Sequence, residues 1–523
     1  MPDFNLTLLD LLLILFYFAL VLYIGIRVGA KNDGGTEDYF LAGRSMLWPF
    51  VGISLFASNI SSTTLIGLSG DAYATGISVF NYEWMASVVL VFFAIFFLPL
   101  YLRSKVYTMP EFLERRFDAR SRYYFSGLTL VGNILIDTAG ALYAGGILLK
   151  LIFPEIPMWQ SIMVLALLAG AYTIIGGLKA VIYTDAIQTV LILAGAIAVS
   201  VLAYQKIGSW DSVTAVTPDS MLSLVRPAND ATMPWTGLLF GVPILGFYFW
   251  CTNQFMVQRV LSAKNSQHGR YGVLFAALLK LPVLFIMVLP GTMARVLYPD
   301  LPNPDMVYPT LLFDLLPIGV LGLVVAGTLA ALMSSIDSTL NSASTLVTMD
   351  FVKKARPQLS DHKLMWVGRF TAFVFMVLAA AWAPYIESFG SLFKYLQTVL
   401  AYVAPPVVAV FIVGVFWRKA TAMAAFSTFM VGLLASLWLL ISPIQVHFLH
   451  VAALLFVICL LTMWLVSLIT VARNSDEIAD YIWTAQGYYE ESLELATLRW
   501  YQNYRVLSVL LLFLTTSLVV WWW

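Results

Sequence analysis

The 523-residue sequence predicts an all-α membrane protein with about fourteen transmembrane helices. The first observation behind this prediction is composition: 60% of the residues are hydrophobic and 11% are charged, against roughly 25% charged in an ordinary soluble domain. Basic and acidic residues number 29 each, so the formal net charge is zero. This composition excludes a disordered chain, a nucleic-acid-binding protein and a soluble enzyme, whose surface so few charges could not cover.

The second observation is a series of apolar runs long enough to cross a bilayer, which takes about 20 helical residues. The connections between them are short and leave no room for a soluble domain. The longest polar stretches are 205–234 and 472–502, and we expect the second to be a cytoplasmic connecting segment. The predicted spans are 9–28, 47–70, 77–102, 122–151, 157–176, 181–204, 235–261, 271–298, 310–350, 364–386, 389–417, 421–442, 447–471 and 503–522.

Basic residues predict the orientation of these spans, because Lys and Arg concentrate in cytoplasmic loops. Most of the 29 basic residues fall in the odd-numbered connections, among them Arg116, Arg122 and Arg259. Both termini are therefore expected on the extracytoplasmic side of a plasma membrane, or of the inner membrane in a bacterium.

Ionisable residues inside the spans are candidates for function, because a bilayer makes them costly. Glu83 and Lys280 have opposite charges and can pair, either as a structural link between helices or as the acceptor and donor of a site for a neutral, hydroxyl-rich solute. Asp185 can instead reach the cytoplasmic end of its helix. The full set is Glu83, Asp137, Asp185, Lys280 and Asp337.

Two spans have compositions that predict a broken helix. In the second span, Ser58–Thr64 is rich in Ser, Thr and Asn, which compete for backbone hydrogen bonds and bend helices. In the seventh, Gly241, Pro243 and Gly246 interrupt the apolar run and lead into the aromatic stretch 247–250. Breaks are tolerated where they line a cavity, and their free carbonyls can bind Na⁺. Close helix packing through small residues and lipid-facing aromatic packing are the alternatives.

The ninth span carries a polar stripe. Ser334, Asp337, Ser338 and Asn341 recur at helical spacing, with Ser335 beside them. Hydroxyl and carboxylate oxygens suit a hard cation, whereas hydrogen bonding between helices is the alternative interpretation.

The spacing of the two predicted breaks indicates an internal repeat. They lie an odd number of spans apart, so the two repeats would have opposite orientations in the membrane. This is typical of inverted-repeat transporters, whose site lies at the midplane between the broken helices.

From about residue 36 to 420, the sequence resembles the sodium:solute symporter family, and within it the sodium/glucose cotransporter branch. The matching stretches follow one another in order along the chain. They are Glu37–Arg44, Ser58–Gly70, Tyr82–Trp84, Tyr107–Phe112, Gly176–Leu178, Tyr183–Gln188, Trp250–Gln254, Gln258–Arg259, Leu340–Asp350, Ala404–Pro406 and Phe416–Lys419.

The resemblance implies a LeuT-type fold, with extra helices and two inverted five-helix repeats that we expect at 47–204 and 235–417. It also implies Na⁺ as the coupled ion. It implies a main Na⁺ site made by the carbonyls of Ala57, Ile60 and Ala331 and the hydroxyls of Ser334 and Ser335. For some members it implies a second cation site, here at Asp185, Ser334, Asp337 and Ser338.

For the solute, the resemblance implies contacts from one set of residues: Asn59, Thr64, Glu83, Phe249, Trp250, Lys280 and Gln397. Thr64 stands where sugar transporters often have Gln or His, and Phe249 where a Tyr is common. The acid at Glu83 disfavours a sialic-acid-like carboxylate.

The sequence thus predicts a Na⁺-coupled symporter that imports a neutral hexose by alternating access. It predicts a lipid bilayer as the surroundings, no nucleic-acid partner and no enzymatic activity. The alternatives are a Na⁺ symporter of myo-inositol, a nucleoside, an amino acid or a carboxylic acid such as sialic acid, and a transporter-like sensor.

Overall fold

The computed structural model describes residues 4–29, 35–60, 62–153, 155–301, 303–389, 392–442, 446–473 and 476–523. Within the helices, it does not describe the side chains of 25, 26, 29, 62, 63, 151, 169–177, 331, 334, 387–389 and 392–395. Regular structure in the described residues is helical, apart from two isolated β-bridges. Long apolar runs in lipid form helices because a helix satisfies its own backbone hydrogen bonds.

The described residues between 4 and 216 form eleven α-helices. They are α1 Leu8–Gly29, α2 Thr36–Leu41, α3 Trp48–Asn59, α4 Ser62–Thr75, α5 Asn81–Phe92, α6 Leu98–Ser104, α7 Met109–Arg116, α8 Ala119–Gly132, α9 Ala139–Ile152, α10 Met158–Ile207 and α11 Asp211–Val216.

The remainder of the chain continues in the same way. Its helices are α12 Trp235–Phe240, α13 Val242–Phe247, α14 Gln254–Leu261, α15 Ser266–Lys280, α16 Leu289–Leu297, α17 Val307–Leu315, α18 Val320–Leu346, α19 Lys353–Ala355, α20 Asp361–Trp382, α21 Leu392–Phe416, α22 Ala422–Ile441, α23 Phe448–Ile469, α24 Ala485–Ala496 and α25 Tyr504–Trp521.

Short π-helical segments extend several of these helices. They are Phe93–Phe97, Asn133–Thr138, Tyr248–Thr252, Leu284–Val288 and Val347–Val352. Such segments are rare and occur frequently at functional sites, and two of these five contribute residues to the central cavity described below.

Eleven helical stretches of the described chain are long and apolar enough to cross a membrane, and the bent pair α3 and α4 makes a twelfth. Two further predicted spans correspond to shorter apolar helices, Leu8–Ile24 and Met158–Leu168. The all-helical membrane class is confirmed, whereas the count of about fourteen spans is not. The predicted spans 157–176 and 181–204 both fall within α10, whose side chains 169–177 are not described.

Burial separates a central group of helices from a peripheral one. The span Val320–Ala355, which contains α18, has 81% of its apolar window buried, and α18 packs against α1, α3, α10 and α20. The spans Phe448–Ile469 and Tyr504–Trp521 have only 28% buried. The apolar residues on the exposed faces of α23 and α25 suit contact with lipid.

Three arginines that the sequence assigned to loops are buried in the structure. Arg116, Arg122 and Arg259 are 1%, 7% and 1% exposed. Arg116 donates from Nε to the carbonyl of Gly414 at 2.7 Å and from Nη2 to that of Trp417 at 2.9 Å, at the end of α21. Burial lowers the pKa of Arg116 to about 10, so it stays charged at neutral pH and caps the α21 carbonyls. Arg116, Arg122 and Arg259 thus link elements of the bundle, although by sequence they count with the connections.

The connecting segment 472–502 packs against the bundle through its described residues. The backbone N–H of Trp483 donates to the carbonyl of Val415 at 3.0 Å, and its ring lies 5.7 Å from that of Phe96. In α24, Glu491 forms ion pairs with Arg270 and Arg505. The segment therefore covers one end of the bundle rather than extending freely into solvent.

Candidate functional site

The predicted break in the second span is present. Helix α3 ends at Asn59, Ile60 leaves helical geometry at φ −79° and ψ 78°, and the two halves of the span meet at 54°. Thr64 donates from Oγ1 to the carbonyl of Asn59 at 2.6 Å, across the break. A helix end leaves its last carbonyls without helical partners, so the break places backbone oxygens in the interior of the bundle.

The seventh span breaks later than the sequence predicts. Gly241 separates α12 from α13 but keeps helical angles of φ −94° and ψ −54°. The backbone leaves the helix at Asn253, with φ −66° and ψ 127°, where the Asn253 side chain accepts a hydrogen bond from Phe255 N. A capping Asn thus starts α14, and the predicted break at Gly241–Gly246 is corrected to Asn253.

A cavity of about 170 Å³ lies between the broken second span, α5, α9, α13, α18 and α21. A cavity of about 150 Å³ holds one benzene-sized ring, so this space fits a single-ring solute. Most of the residues predicted to contact the solute line it: Asn59, Thr64, Glu83, Phe249, Trp250 and Gln397.

Lys280, the remaining predicted contact, reaches this group through hydrogen bonds. Its ammonium lies 2.6 Å from Glu83 Oε2 and donates to Asn59 Oδ1. Lys280 is fully buried and Glu83 is 6% exposed. Glu83 lies on α5 and Lys280 on α15, so the ion pair joins two helices of the bundle that pack against each other.

Aromatic rings form another part of the cavity wall. Phe249 and Trp250 lie in the π segment before the Asn253 break, with ring centroids 5.2 Å apart and an edge-to-face geometry. The Trp250 ring also lies 5.2 Å from the Lys280 ammonium, within reach of a cation–π interaction. The rings thus border both the cavity and the buried ion pair.

The residues predicted for the main Na⁺ site lie on two helices in contact. Ala57 and Ile60 are buried at the end of α3, and Ser335 of α18 lines the cavity. The hydroxyls of Ser58 and Ser338 approach to 3.5 Å and join the two helices. Ala331 and Ser334 belong to α18, but they lie outside the residues whose side chains the structure describes.

Two of the residues predicted for a second cation site contact Arg259, which the sequence pattern did not place there. Asp185 is fully buried, and its Oδ2 accepts hydrogen bonds from Ser54 Oγ at 2.5 Å and Arg259 Nη2 at 3.3 Å. Arg259 also donates to Ser338 Oγ. The guanidinium therefore supplies positive charge between Asp185 and Ser338. Asp337, the other predicted acid, is fully buried in α18.

Sequence reasoning missed two charged residues that shape this region. Arg259 was counted with the loops, although Asn253 before it could have indicated a new helix start inside the seventh span. Asp137 was recognised as costly but received no role, and it lines the cavity.

The fold and the cavity define a helical membrane transporter, because a chamber with buried polar groups and aromatic rings lies between interrupted helices in the bundle. Residues 39–432 match the sodium:solute symporter family. The protein belongs to this family.

Relatives and a solved structure agree with this assignment. Sodium/glucose cotransporter 1 of Oryctolagus cuniculus is 33% identical, over 93% of this chain and 82% of that protein. Sodium/myo-inositol cotransporter 2 of the same species is 35% identical, over 91% of this chain and 78% of that protein. A Na⁺-coupled sialic acid symporter, solved substrate-bound and outward-open, is 23% identical with a TM-score of 0.81, covering 90% of this chain and 100% of the other. The LeuT-type fold is confirmed.

Proposed function

We propose that the protein is a Na⁺-coupled symporter that carries a neutral, glucose- or galactose-like hexose into the cell by alternating access. The observation that carries this proposal is the buried Glu83–Lys280 pair beside a cavity of single-ring size. The pair is neutral overall, yet it offers a carboxylate acceptor and an ammonium donor. A hydroxyl-rich solute can use both without bringing a charge of its own.

The surrounding residues complete this solute site. The amides of Asn59 and Gln397 each combine donors with an acceptor, and Thr64 adds a hydroxyl. Phe249 and Trp250 offer apolar ring surfaces to the C–H faces of a sugar. The names of the relatives, for glucose and myo-inositol, support a polyhydroxylated ring as the solute class.

Na⁺ would bind beside the break in the second span. We assign it the carbonyls of Ala57, Ile60 and Ala331 and the hydroxyls of Ser334 and Ser335. Binding there would order the break, favour solute binding and shift the population towards closure, after which the repeats 47–204 and 235–417 rock about the site. One Na⁺ moving down 100 mV supplies about 2.3 kcal/mol, enough for about 50-fold solute accumulation.

A second cation would use Asp185, Asp337 and Ser338. In this structure the Arg259 guanidinium contacts both Asp185 and Ser338, so a second Na⁺ would compete with a tethered positive charge. We therefore propose one Na⁺ at the main site for each solute in this conformation, with no catalytic step in the cycle. The second site would fill once Arg259 moves away.

Uptake into proteoliposomes tests the proposal. Labelled hexose should enter at least several-fold faster with an inward Na⁺ gradient than with an equal K⁺ gradient. Glu83→Ala and Gln397→Ala should lose hexose uptake while a matched exposed-loop variant, Asp219→Asn, keeps it. Equal uptake under the two gradients would contradict symport.

Myo-inositol is the second candidate, because the relative named for it is as similar as the one named for glucose. Competition against labelled hexose separates the two. Inhibition by unlabelled glucose or galactose at a lower concentration than by myo-inositol would favour the hexose, and the reverse order would favour myo-inositol.

A further inference from the structure

Asp137 lines the cavity but is not part of the Glu83–Lys280 pair. It lies in the π segment Asn133–Thr138 of the fourth predicted span. The two ends of this segment are held against α18, through Asn133 Nδ2 to Ser342 Oγ at 2.9 Å and Thr138 Oγ1 to Thr339 Oγ1 at 2.6 Å. Between these anchors, the Asp137 carboxylate borders the cavity.

An ionised Asp137 would leave the charges around the cavity unbalanced. Within the part of the chain that the structure describes, no hydrogen bond or ion pair is found for Asp137. The Lys280 ammonium is already engaged by Glu83 and Asn59. With Asp137 ionised, Glu83, Lys280 and Asp137 together would carry one excess negative charge, and a carboxylate at membrane depth is costly without a positive partner.

A bound solute can supply that partner. The cavity also contains Gln397 and the two aromatic rings, so a sugar ring and the Asp137 carboxylate would share one space. A protonated amine brings three donors and a positive charge, and its hydrogen bond to a carboxylate is stronger than one from a neutral hydroxyl. A solute with a carboxylate would instead face an uncompensated acid.

We propose that Asp137 is a subsite for a protonated amine on the sugar, so that the cavity prefers amino sugars to their neutral analogues. This inference rests on the proposed function and extends its substrate class from neutral hexoses to sugars that carry a protonated amine. Asp137 is a specificity-determining residue, whereas Glu83 and Lys280 serve the sugar hydroxyls.

The test is inhibition of Na⁺-driven labelled hexose uptake at pH 6.5, where an amine with a pKa near 8 is largely protonated. The two inhibitors are a 2-amino-2-deoxyhexose and its neutral N-acetyl form. The concentration of each inhibitor that halves hexose uptake is measured, and the ratio of the N-acetyl value to the amino value is taken within each variant. A change in the hexose rate itself then cancels. In the wild type, the amino sugar should inhibit at a concentration lower by on the order of tenfold.

Asp137→Asn should bring this ratio close to one, and Asp137→Glu should keep most of it. Asp219→Asn removes a charge on an exposed loop and should leave the ratio unchanged. Any measurable hexose uptake by Asp137→Asn shows that the variant is folded, so that the loss of preference reports on the subsite.

Other results would overturn the inference. A wild-type ratio near one with intact Na⁺-driven hexose uptake would remove the amine subsite alone. A lower charge movement per hexose in Asp137→Asn, with an unchanged ratio, would assign Asp137 to a co-transported cation. If Lys394→Met raised the preference for the amino sugar tenfold, Lys394, whose side chain is not described, would already compensate the Asp137 carboxylate. Absence of any Na⁺-driven hexose uptake would instead overturn the proposed function.

Discussion

Glu83 and Lys280 are each costly inside a bilayer, and each is tolerated because the other lies 2.6 Å away. Removing one partner leaves an uncompensated buried charge, which typically costs about 3–5 kcal/mol, whereas removing both can be nearly neutral. A single substitution in this pair therefore affects both stability and solute binding, and only a comparison with the double variant separates the two effects.

We therefore expect Glu83→Gln and Lys280→Met each to lower the thermal unfolding midpoint of the purified protein. The double variant should recover most of that loss, because neither charge remains, yet it should transport no hexose. The measurement is thermal unfolding in detergent beside proteoliposome uptake. Recovery of transport in the double variant would mean that the pair is structural and does not contact the solute.

Ser335 lines the cavity beside the break and is assigned to Na⁺. Ser335→Ala would remove one of the proposed oxygen ligands, which we expect to raise the Na⁺ concentration for half-maximal uptake about five- to tenfold. The order of preference among sugars should not change. Ser436→Ala is the control, since Ser436 is a buried serine of α22 that donates to the Tyr402 carbonyl. A changed sugar preference without a change in Na⁺ dependence would contradict the assignment.

Much of the polar lining of the cavity could be predicted at the residue scale, because polar groups are costly in apolar spans. Glu83 and Asn59 stand out for this reason, whereas Gln397 was named only through the family resemblance, which also supplied the grouping. Arg259 escaped because it lies near a loop in sequence, and charge counting places such residues in solvent. Arg259 is buried against Asp185 because of how α14 packs in the bundle, and the sequence around Arg259 does not predict that packing.

At the scale of elements, the composition of a span predicted the existence of a helix break more accurately than its position. Polar crowding at Ser58–Thr64 coincided with the break after Asn59. In the seventh span, Gly241, Pro243 and Gly246 stayed within or beside helices, since helix interiors in membranes tolerate such residues. The backbone left the helix at Asn253, where a side-chain cap stabilises the new start.

Gly291 of α16 packs against α4, and a Cβ at this position would overlap the backbone oxygen of Ser69. Small residues permit such close helix contacts in membranes. Gly291→Ala should cost about 1–3 kcal/mol through overpacking and slow hexose uptake, because α4 belongs to the broken span. Thermal unfolding and initial uptake rates measure the two effects.

Gly127→Ala is the matched control, since a Cβ added to Gly127 of α8 would meet nothing within 4 Å. Replacing a helical Gly by Ala there should leave uptake unchanged and stabilise slightly, by about 0.5–1 kcal/mol. Equal behaviour of the two variants would mean that the α4–α16 contact does not constrain transport.

For the whole molecule, the distribution of Lys and Arg predicts that both termini face outwards and that segment 472–502 is cytoplasmic. The burial of Arg116, Arg122 and Arg259 removes some loop charges from that prediction. Cysteine accessibility provides an independent test, because the native Cys251 and Cys459 are both fully buried.

A cysteine introduced at exposed Ala231, in the loop 205–234, should react with a membrane-impermeant maleimide on intact cells. One at exposed Gln486, in α24, should react only after permeabilisation. Labelling of Ala231→Cys and Gln486→Cys from the same side would contradict the predicted orientation.

Symport requires that Na⁺ and a sugar move together, and coupling between two ligands acts in both directions. The most direct measurement is radiolabelled Na⁺ flux in proteoliposomes that start with equal Na⁺ on both sides and an inward hexose gradient. We expect hexose entry to drive a transient accumulation of Na⁺ inside, and Ser335→Ala to weaken it. Equilibration of hexose with no net movement of Na⁺ would contradict coupled transport.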